Sequence, residues 1–361
     1  MRRLLLVSNR VMHYRVSVYN YFSRRFRQHG WEFVVRSNEL QSRDTCPLAF
    51  DFREIRFAFH KYRKEIEKIR PDVVIVFLHL KDPIIWPLVH WLKSKRIPVV
   101  FWSKGANLDR PHSKLRHLFF DYMHSQCDRI ILYSEHEVRY VRERDRHKVS
   151  IASNTINFEA FPQILERKQQ IKEDLGIPFE KVVLFAGRMG IGGERKKVHH
   201  LIEVFRDMGN RGIGLVIVGS GMSSDLLKRA NPHNTVYLGE VHDPQHIQIS
   251  RIFKMADVFC IPGHVGLGLN QAFYWGLPVI TEDGGQPPEI HYLINGRNGF
   301  IVPNDDLIEL KGKILYLLEN DEVRQEFSRN AREDILRNAS VANMFMGFKN
   351  CVDSLPKLRE T

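Results

Sequence analysis

The sequence predicts an α/β protein of two domains, each built on a parallel β-sheet flanked by helices. Three observations support this fold class. The chain has 361 residues, which exceeds one ordinary core and suits two domains. Short apolar runs alternate with helical stretches along both halves of the chain. These runs lack strict apolar–polar alternation, which indicates strands buried on both faces, as in parallel sheets.

The expected elements form two consecutive series. In the first half, buried strands are predicted at 4–7, 32–35, 72–78, 98–102, 129–133 and 149–152. In the second half they are predicted at 182–185, 214–218, 235–238, 257–261, 278–281 and 299–302. A polar segment with Pro162 separates the series. We therefore expect Rossmann-like domains over 1–164 and 165–340, followed by an amphipathic helical segment over 341–361.

Composition indicates a globular protein of the cytoplasm. Hydrophobic residues make up 43% and charged residues 27% of the chain, which excludes the disordered class. No apolar run approaches the roughly 20 residues of a membrane span, and the N-terminal run is too short for a signal peptide. Four scattered cysteines without a C-x-x-C spacing suit a reducing compartment and argue against a metal knuckle.

Charge is unevenly distributed. The net charge is +12, and residues 1–150 hold 30 Lys and Arg against 16 Asp and Glu. A basic first half suggests an anionic partner, either nucleic acid or a membrane surface that carries a lipid-linked substrate. A generally basic proteome would give the same balance. No recognised nucleic-acid module is present, so nucleic acid is not expected as a partner.

Two Gly-containing turns follow predicted strands of the second half. Gly187 and Arg188 end the strand at 182–185, and Lys196 and Lys197 follow after a Gly-rich loop. Arg and Lys beside a helix N-terminus can clamp a diphosphate, because guanidinium is bidentate and the helix end offers unpaired N–H groups. A solvated basic turn is the alternative. The second turn, at Gly219, is weak evidence for a binding site, and a compact strand-to-helix connection is the favoured interpretation.

The third Gly-rich turn follows the predicted strand at 257–261. Gly263, Gly266 and Gly268 lead into a helix that ends at Gly276, and a further buried strand follows at once. Glycines let backbone approach a ligand closely, and helix N–H groups would face an anion. His264 lacks an obvious metal or base partner in the sequence, so an ordinary loop histidine is the alternative to a binding role.

The segments together resemble the retaining GT-B glycosyltransferases of family four, also called glycosyl transferases group one. The resemblance lies in F-A-G-R at 185–188, L-V-I-V-G-S-G at 215–221, V-Y-L-G at 236–239 and N-G-R-N-G-F at 295–300. The segment 263–280 matches the family pattern at Gly266, Leu267, Ala272, Gly276 and 278–280. N-T-I-N at 154–157 resembles the family's domain junction. The first half follows only in pattern.

The resemblance implies two Rossmann-like domains facing a central cleft, with the last helix returning to the first domain. It further implies a nucleotide-sugar donor and no metal or other cofactor; no Asp-x-Asp stands at a strand end, and Asp305 and Asp306 are expected in a solvated loop. Arg188 and Lys196, or its neighbour Lys197, would bind the diphosphate and act as electrostatic catalysts. The expected donor-binding residues are Gly187, Arg188, Lys196, Lys197, Gly219, His264, Gly266, Leu267, Gly268, Gln271 and Glu289.

Three positions depart from the family pattern. The family's paired glutamates fall on Gly263 and Gln271, so both carboxylates are absent. Gln271 can still hydrogen-bond ribose hydroxyls. The histidine of the family's first domain falls on Lys104. These departures affect the contacts that orient the sugar, whereas the diphosphate site is intact.

The acceptor is expected to bind at the first domain, through Arg10, His13, Tyr14, Arg15 and Lys104. A basic turn before a helix is the alternative. The aromatic, basic stretch around Tyr19, Tyr21, Phe22, Arg24, Arg25 and Phe26 suits either a peripheral contact with an anionic membrane on its inner face or ordinary core packing.

The predicted function is therefore transfer of a sugar from a nucleotide-diphosphate donor to a glycan or polyprenyl-linked acceptor, with retention of configuration. Biosynthesis of a cell-surface polysaccharide or lipopolysaccharide is the expected setting. The missing carboxylates leave one alternative, a catalytically silent protein that binds a nucleotide sugar or scaffolds a partner. A GT-B-like 2-epimerase would need acidic and His groups that the segments lack.

Overall fold

The computed structural model describes residues 1–41, 46–106, 114–190, 193–209 and 212–356. The chain divides into two compact units, one of Met1–Asn157 with Ser340–Thr361 and one of Phe158–Ala339. Each unit contains one sheet in which every strand pair is parallel, so the predicted α/β class is confirmed. Of the predicted C-terminal segment 341–361, residues 357–361 lie outside the described part.

The strands follow the predicted series closely. They are β1 (Arg2–Ser8), β2 (Trp31–Ser37), β3 (Asp51–Glu54), β4 (Val73–Phe77), β5 (Val99–Trp102), β6 (Arg129–Leu132), β7 (Val149–Ile151), β8 (Lys181–Ala186), β9 (Ile213–Val218), β10 (Thr235–Gly239), β11 (Val258–Cys260), β12 (Val279–Glu282) and β13 (Gly299–Val302). Strand β3 was not predicted. It is a mostly exposed edge strand that pairs with β2 through its backbone. Such pairing leaves no apolar pattern in the sequence of β3.

The helices are α1 (His13–Gln28), α2 (Phe59–Ile69), α3 (Ile85–Ser94), α4 (Lys114–Gln126), α5 (Glu143–Arg146), α6 (Lys168–Asp174), α7 (Val198–Arg206), α8 (Ser224–Arg229), α9 (Ile247–Met255), α10 (Leu267–Tyr274), α11 (Leu307–Glu319), α12 (Asp321–Asn338) and α13 (Val341–Asp353). Helices α1–α10 lie between strands in chain order, and α11–α13 follow the last strand. No helix among the described residues is both long enough and apolar enough to cross a bilayer.

The two sheets have the same strand order, except that the first has one additional strand, β7, at its edge. The first is β3-β2-β1-β4-β5-β6-β7 and the second is β10-β9-β8-β11-β12-β13. In each, the direction of strand addition reverses once, between β1 and β4 and between β8 and β11. Ligands of open parallel sheets bind beyond the carboxyl ends of the strands at such a reversal.

One face of the first sheet is covered by α1 and α13. The ring centroids of Phe22 and Phe348 are 5.0 Å apart, and those of Trp102 and Phe348 are 4.8 Å apart. A Cβ on Gly347 would lie 2.2 Å from the carbonyl oxygen of Ile151, so α13 approaches the sheet at backbone distance. The aromatic side chains of α1 that could have met a membrane are buried in this core instead, namely Tyr19, Tyr21, Phe22 and Phe26. The membrane interpretation of α1 is wrong.

The first unit ends at Asn157, seven residues before the predicted boundary at 164. The ring of Phe158 stacks on Tyr274 with centroids 4.5 Å apart, and Phe161 stacks on His246 at 4.7 Å. These aromatic contacts attach the polar connecting segment to the second unit. A boundary read from composition misses them, because the two phenylalanines are isolated within polar sequence.

Candidate functional site

The candidate site lies at the carboxyl ends of β8 and β11, where the strand order of the second sheet reverses. These strands are paired through Val183 with Val258 and Leu184 with Phe259. The loop after β8 carries Arg188 and a short 3-10 helix at Glu194–Lys196, and the loop after β11 leads into α10. The topology therefore brings together two of the Gly-rich turns that the sequence singles out.

Lys196 is the cationic centre of this site. Its Nζ donates hydrogen bonds to the carbonyl oxygens of His264 at 3.0 Å and Val265 at 3.5 Å. Its stem passes over Gly187, where a Cβ would lie 2.7 Å from the lysine Cδ. A side chain at position 187 would therefore displace the lysine from this path.

Burial sets the charge state of Lys196. It lowers the pKa of the ammonium group to about 8, with the carboxylate of Glu289 opposing the shift and the charge of Arg188 adding to it. Glu289 is buried, whereas Arg188 is exposed. An incoming diphosphate would offset the repulsion between the two cations, and burial would strengthen its attraction to them.

The loop at Gly263 is pinned to the lysine loop through backbone contacts. The N–H of Gly263 donates to the carbonyl oxygen of Lys196 at 3.2 Å, and that of His264 donates to Arg195 at 2.8 Å. A Cβ on Gly263 would lie 1.8 Å from the carbonyl oxygen of Arg195. No side chain fits there, which gives a physical reason why this chain has no carboxylate at the first glutamate position of the family pattern.

Helix α10 presents its N-terminus at the same place. Gly266 precedes it with φ 55° and ψ −155°, a conformation that only glycine adopts readily. The first N–H groups of a helix have no acceptor within the helix and carry the positive end of its dipole. The site therefore combines the ammonium group of Lys196 with backbone donors, which together suit an anion.

Gln286 holds the loop in this shape, and the sequence did not predict its role. Its Nε2 donates to the carbonyl oxygen of Gly263 at 3.0 Å, and its Oε1 accepts from the N–H of Val265 at 3.1 Å. Thr281 adds a hydrogen bond from its Oγ1 to Gly263, at 3.1 Å. The stretch G-G-Q-P-P at 284–288 signals a loop, but it does not show which side chain turns inward.

Other expected donor residues take different positions. Gly219 has φ 131°, and a Cβ there would lie 2.0 Å from the carbonyl oxygen of Gly187, so it permits a compact connection. A Cβ on Gly268 would meet Phe259 and Ile261 side chains at 3.4 Å, which places it against the core. The remaining ones, His264, Leu267 and Gln271, are half-buried around the start of α10.

Lys197 does not join Lys196. Its Nζ contacts Glu282 Oε2 at 2.7 Å, Asp305 Oδ1 at 2.6 Å and Asn304 Oδ1 at 2.7 Å. Burial lowers the pKa of Lys197, but hydrogen bonds to Asp305 and Glu282 raise it overall. The sequence did not decide which of the two lysines binds the diphosphate. The structure places Lys196 in the candidate site and Lys197 in an ion-pair cluster.

The same cluster is the group of described residues that could offer ligands to a cation. Atoms of His200, Glu282 and Asp305 lie within 4.8 Å of one another. The ammonium group of Lys197 already lies between the two carboxylates and provides the positive charge. Asp305 is therefore engaged, and Asp306 caps α11 by accepting from the N–H of Glu309 at 2.9 Å. The expected loop position of these aspartates agrees with the structure, because Asp305 follows β13 and its side chain is 63% exposed, but both aspartates also make specific contacts.

The first unit has a cationic edge at its own strand reversal. Arg10 follows β1, His79 follows β4 and Lys104 follows β5, so all three lie at the carboxyl edge of adjacent strands. Burial lowers the pKa of His79, Asp82 raises it, and the charges of Lys81, Lys104 and Arg10 lower it further. His79 was not predicted as a site residue. Arg10 is exposed and donates to Glu39 Oε2 at 2.9 Å.

Arg15 does not contribute to the cationic edge of the first unit. It is 3% exposed, and its Nη2 donates to Asn154 Oδ1 at 2.6 Å. Its guanidinium group stacks over Trp102, 4.9 Å from the ring centroid. The prediction of Arg15 as an acceptor-binding residue is therefore wrong, because a basic residue in the first turn of α1 faces the core. His13 is exposed and Tyr14 half-buried beside it, with ring centroids 5.4 Å apart.

Two family models match the chain, one in each unit. The model described as Glycosyltransferase Family 4 matches residues 12–160. The model described as Glycosyl transferases group 1 matches residues 167–334. The second match contains the whole of the candidate site between β8 and α10.

Named relatives and solved structures agree with these matches. The chain is 26% identical over 282 residues to the D-rhamnosyltransferase WbpZ of Pseudomonas aeruginosa, covering 74% of this chain and 70% of that protein. It is 29% identical over 195 residues to the capsular polysaccharide biosynthesis glycosyltransferase CapM of Staphylococcus aureus, covering 51% of this chain and 48% of CapM. The structure of Anabaena Alr3699/HepE in complex with UDP matches with a TM-score of 0.79 at 14% identity, covering 98% of this chain and 100% of that one.

Proposed function

Because the chain belongs to the glycosyltransferases of group 1 and family 4, which have the GT-B fold, we propose that it uses a nucleoside-diphosphate sugar as donor. Its acceptor would be a glycan or a polyprenyl-linked sugar, in the biosynthesis of a cell-surface polysaccharide. The names of WbpZ and CapM support this setting, and the UDP bound to HepE supports the donor class.

The proposal depends on one observation, the position of the Lys196 ammonium group at the start of α10. Its Nζ donates hydrogen bonds to the carbonyl oxygens of His264 and Val265. These two residues come immediately before Gly266 and the first turn of the helix. A diphosphate bound there would accept hydrogen bonds from the helix N–H groups and from Lys196. Arg188, whose charge acts on Lys196, would contact the same diphosphate from the exposed side.

Catalysis would then be electrostatic. The bond between the sugar C1 and the leaving phosphate oxygen breaks, and negative charge develops on the diphosphate. Lys196, Arg188 and the α10 N–H groups stabilise that charge without reorganising. The acceptor hydroxyl forms the new bond to C1 and gives its proton to the departing phosphate oxygen, on the same face of the sugar. This route needs no protein carboxylate and gives retention, which is consistent with glycine at 263 and glutamine at 271.

The acceptor would bind at the cationic edge of the first unit, formed by Arg10, His79 and Lys104. A phosphate-bearing acceptor would be favoured there, because cations at the ends of parallel strands attract anionic groups. We propose that the protein works in the cytoplasm against the inner face of a membrane that holds such an acceptor. No metal is needed in this scheme.

A thermal-shift screen with UDP, GDP, dTDP and their sugars would test the donor site. A nucleotide at about 100 times its Kd should add about 2.7 kcal/mol to the free energy of unfolding. Arg188→Ala should abolish the rise and lower turnover by about 10²–10³. Arg206→Ala, which removes another partly exposed arginine of the second unit, is the matched control and should behave as wild type.

Two results would count against the proposal. If no nucleotide raises the melting temperature, or if Arg188→Ala responds as the wild type does, the diphosphate site is wrongly placed. Binding without any donor hydrolysis or transfer would instead favour the catalytically silent alternative.

A further inference from the structure

Helix α4 is apolar on two opposite faces. On its inner face the helix's own residues Met123 and His124 are fully buried. On the other face Leu118 is 54% exposed, Phe119 is 53% exposed and Tyr122 is 46% exposed. Scattered exposed apolar residues are normal on a protein surface, but three within five positions of one helix form a patch. Contacts among the described residues of the first unit leave this second face exposed.

Aromatic residues of α3 extend the patch. The ring centroid of Trp86 lies 6.2 Å from that of Phe119 and 5.8 Å from that of Tyr122. Tyr122 Oη lies 3.4 Å from Nε2 of His90. We call the set of Trp86, Leu118, Phe119 and Tyr122 the aromatic face. Tyr and Trp with a polar tip are the side chains that favour the boundary between water and lipid headgroups.

The surroundings of the aromatic face are basic. The described residues 79–106, which include α3, hold five Lys and Arg against one Asp and no Glu. Exposed cations lie at the end of α3, with Lys93 in its last turn and Lys95 and Arg96 directly after it. The acidic residue Asp121 of α4 is paired with Arg142 Nε at 2.7 Å. A partner that covers this face must therefore accept apolar insertion and also carry negative charge.

The aromatic face is connected to the cationic edge of the first unit. Trp86 Nε1 donates to the carbonyl oxygen of Leu80 at 3.0 Å, and Leu80 lies between His79 and Lys81. Trp86 is thus fixed directly after the turn that carries His79. A lipid whose tail lies in a bilayer and whose headgroup carries a phosphate would suit both features.

We propose that the aromatic face docks the first unit onto an anionic lipid bilayer, with Leu118 and Phe119 inserted and the basic residues at the headgroups. This inference rests on the proposed use of a membrane-held acceptor, and it assigns the contact to α3 and α4. Lipid is favoured over a protein partner because the patch is small and flanked by cations, as in monotopic helices.

The test is flotation of the full chain with vesicles of phosphatidylcholine, with and without phosphatidylglycerol. The wild type should bind the anionic vesicles and bind the neutral ones weakly. Leu118→Ser combined with Phe119→Ser should weaken binding to anionic vesicles by about tenfold or more. Ile308→Ser removes a side chain that is 87% exposed in the second unit and should leave vesicle binding unchanged.

A nucleotide-induced rise in melting temperature, equal in the double variant and in wild type, would show that the double variant is folded. The inference fails if wild type ignores anionic vesicles or if the double variant binds them as wild type does. It also fails if wild type is a dimer that the double variant dissociates, because the face would then cover a second copy. If vesicle binding behaves as expected while no nucleotide binds, the donor proposal fails and the docking surface stands.

Discussion

The charge of Lys196 gives the sharpest test of the donor site. Because its pKa is about 8, Lys196 is charged in about nine of ten protein molecules at pH 7 and in about one of ten at pH 9. A diphosphate that contacts the ammonium group stabilises the charged form, so binding above pH 8 requires uptake of a proton. The affinity for UDP should therefore fall by about tenfold between pH 7 and pH 9.

Isothermal titration of UDP across this pH range would measure the effect. Lys196→Arg keeps a charge at every pH used, so its affinity should stay nearly constant. Lys196→Met should bind weakly at all pH values, since a charge-assisted hydrogen bond contributes about 1.5–3 kcal/mol. All variants meet the same ligand, so titration of the ligand itself cancels in the comparison. A flat profile for wild type, or an equally steep one for Lys196→Arg, would refute the reasoning.

Three further predictions concern stability. Gly263→Ala should lower the free energy of unfolding by about 1–3 kcal/mol, because its Cβ would collide with the carbonyl oxygen of Arg195; an unchanged denaturation midpoint would contradict this. Burial lowers the pKa of His124 to about 4 from an ordinary 6.5, so the unfolded chain binds the proton first on acidification; stability should fall by about 3 kcal/mol between pH 6.5 and pH 4, and His124→Phe should flatten that part of the pH profile. Lys197→Met should cost about 2 kcal/mol by leaving the buried carboxylate of Glu282 short of a partner, while UDP affinity stays near wild type; a loss of affinity matching Lys196→Met would contradict the separation of the two lysines.

The strands and the Gly-rich turns were predictable because burial on both sides leaves a continuous apolar signature. The turn at 263–268 was identified from its glycines, and the structure places it beside the loop of Lys196. Strand β3 had no such signature, because an edge strand is made by backbone pairing.

Side-chain direction was much less predictable. Arg15 and Lys197 are basic residues next to expected sites, yet both turn towards partners distant in sequence, Asn154 and Asp305 respectively. Gln286 shows the opposite case. Nothing in the sequence marks this loop residue, yet its side-chain amide makes four hydrogen bonds that hold the turn in place. A choice between adjacent lysines depends on tertiary contacts that a local pattern does not contain.

The close packing of α13 against β7 has a consequence for how the protein folds during synthesis. The first unit is discontinuous in sequence, and its last helix is translated only after the whole second unit. Until then Phe22 and Trp102 lack the ring of Phe348 that covers them, and their apolar surface is available for aggregation or for a chaperone. During synthesis the second unit can be completed first. Loss of the final helix should therefore impair maturation of the first unit while leaving the residues of the donor site intact.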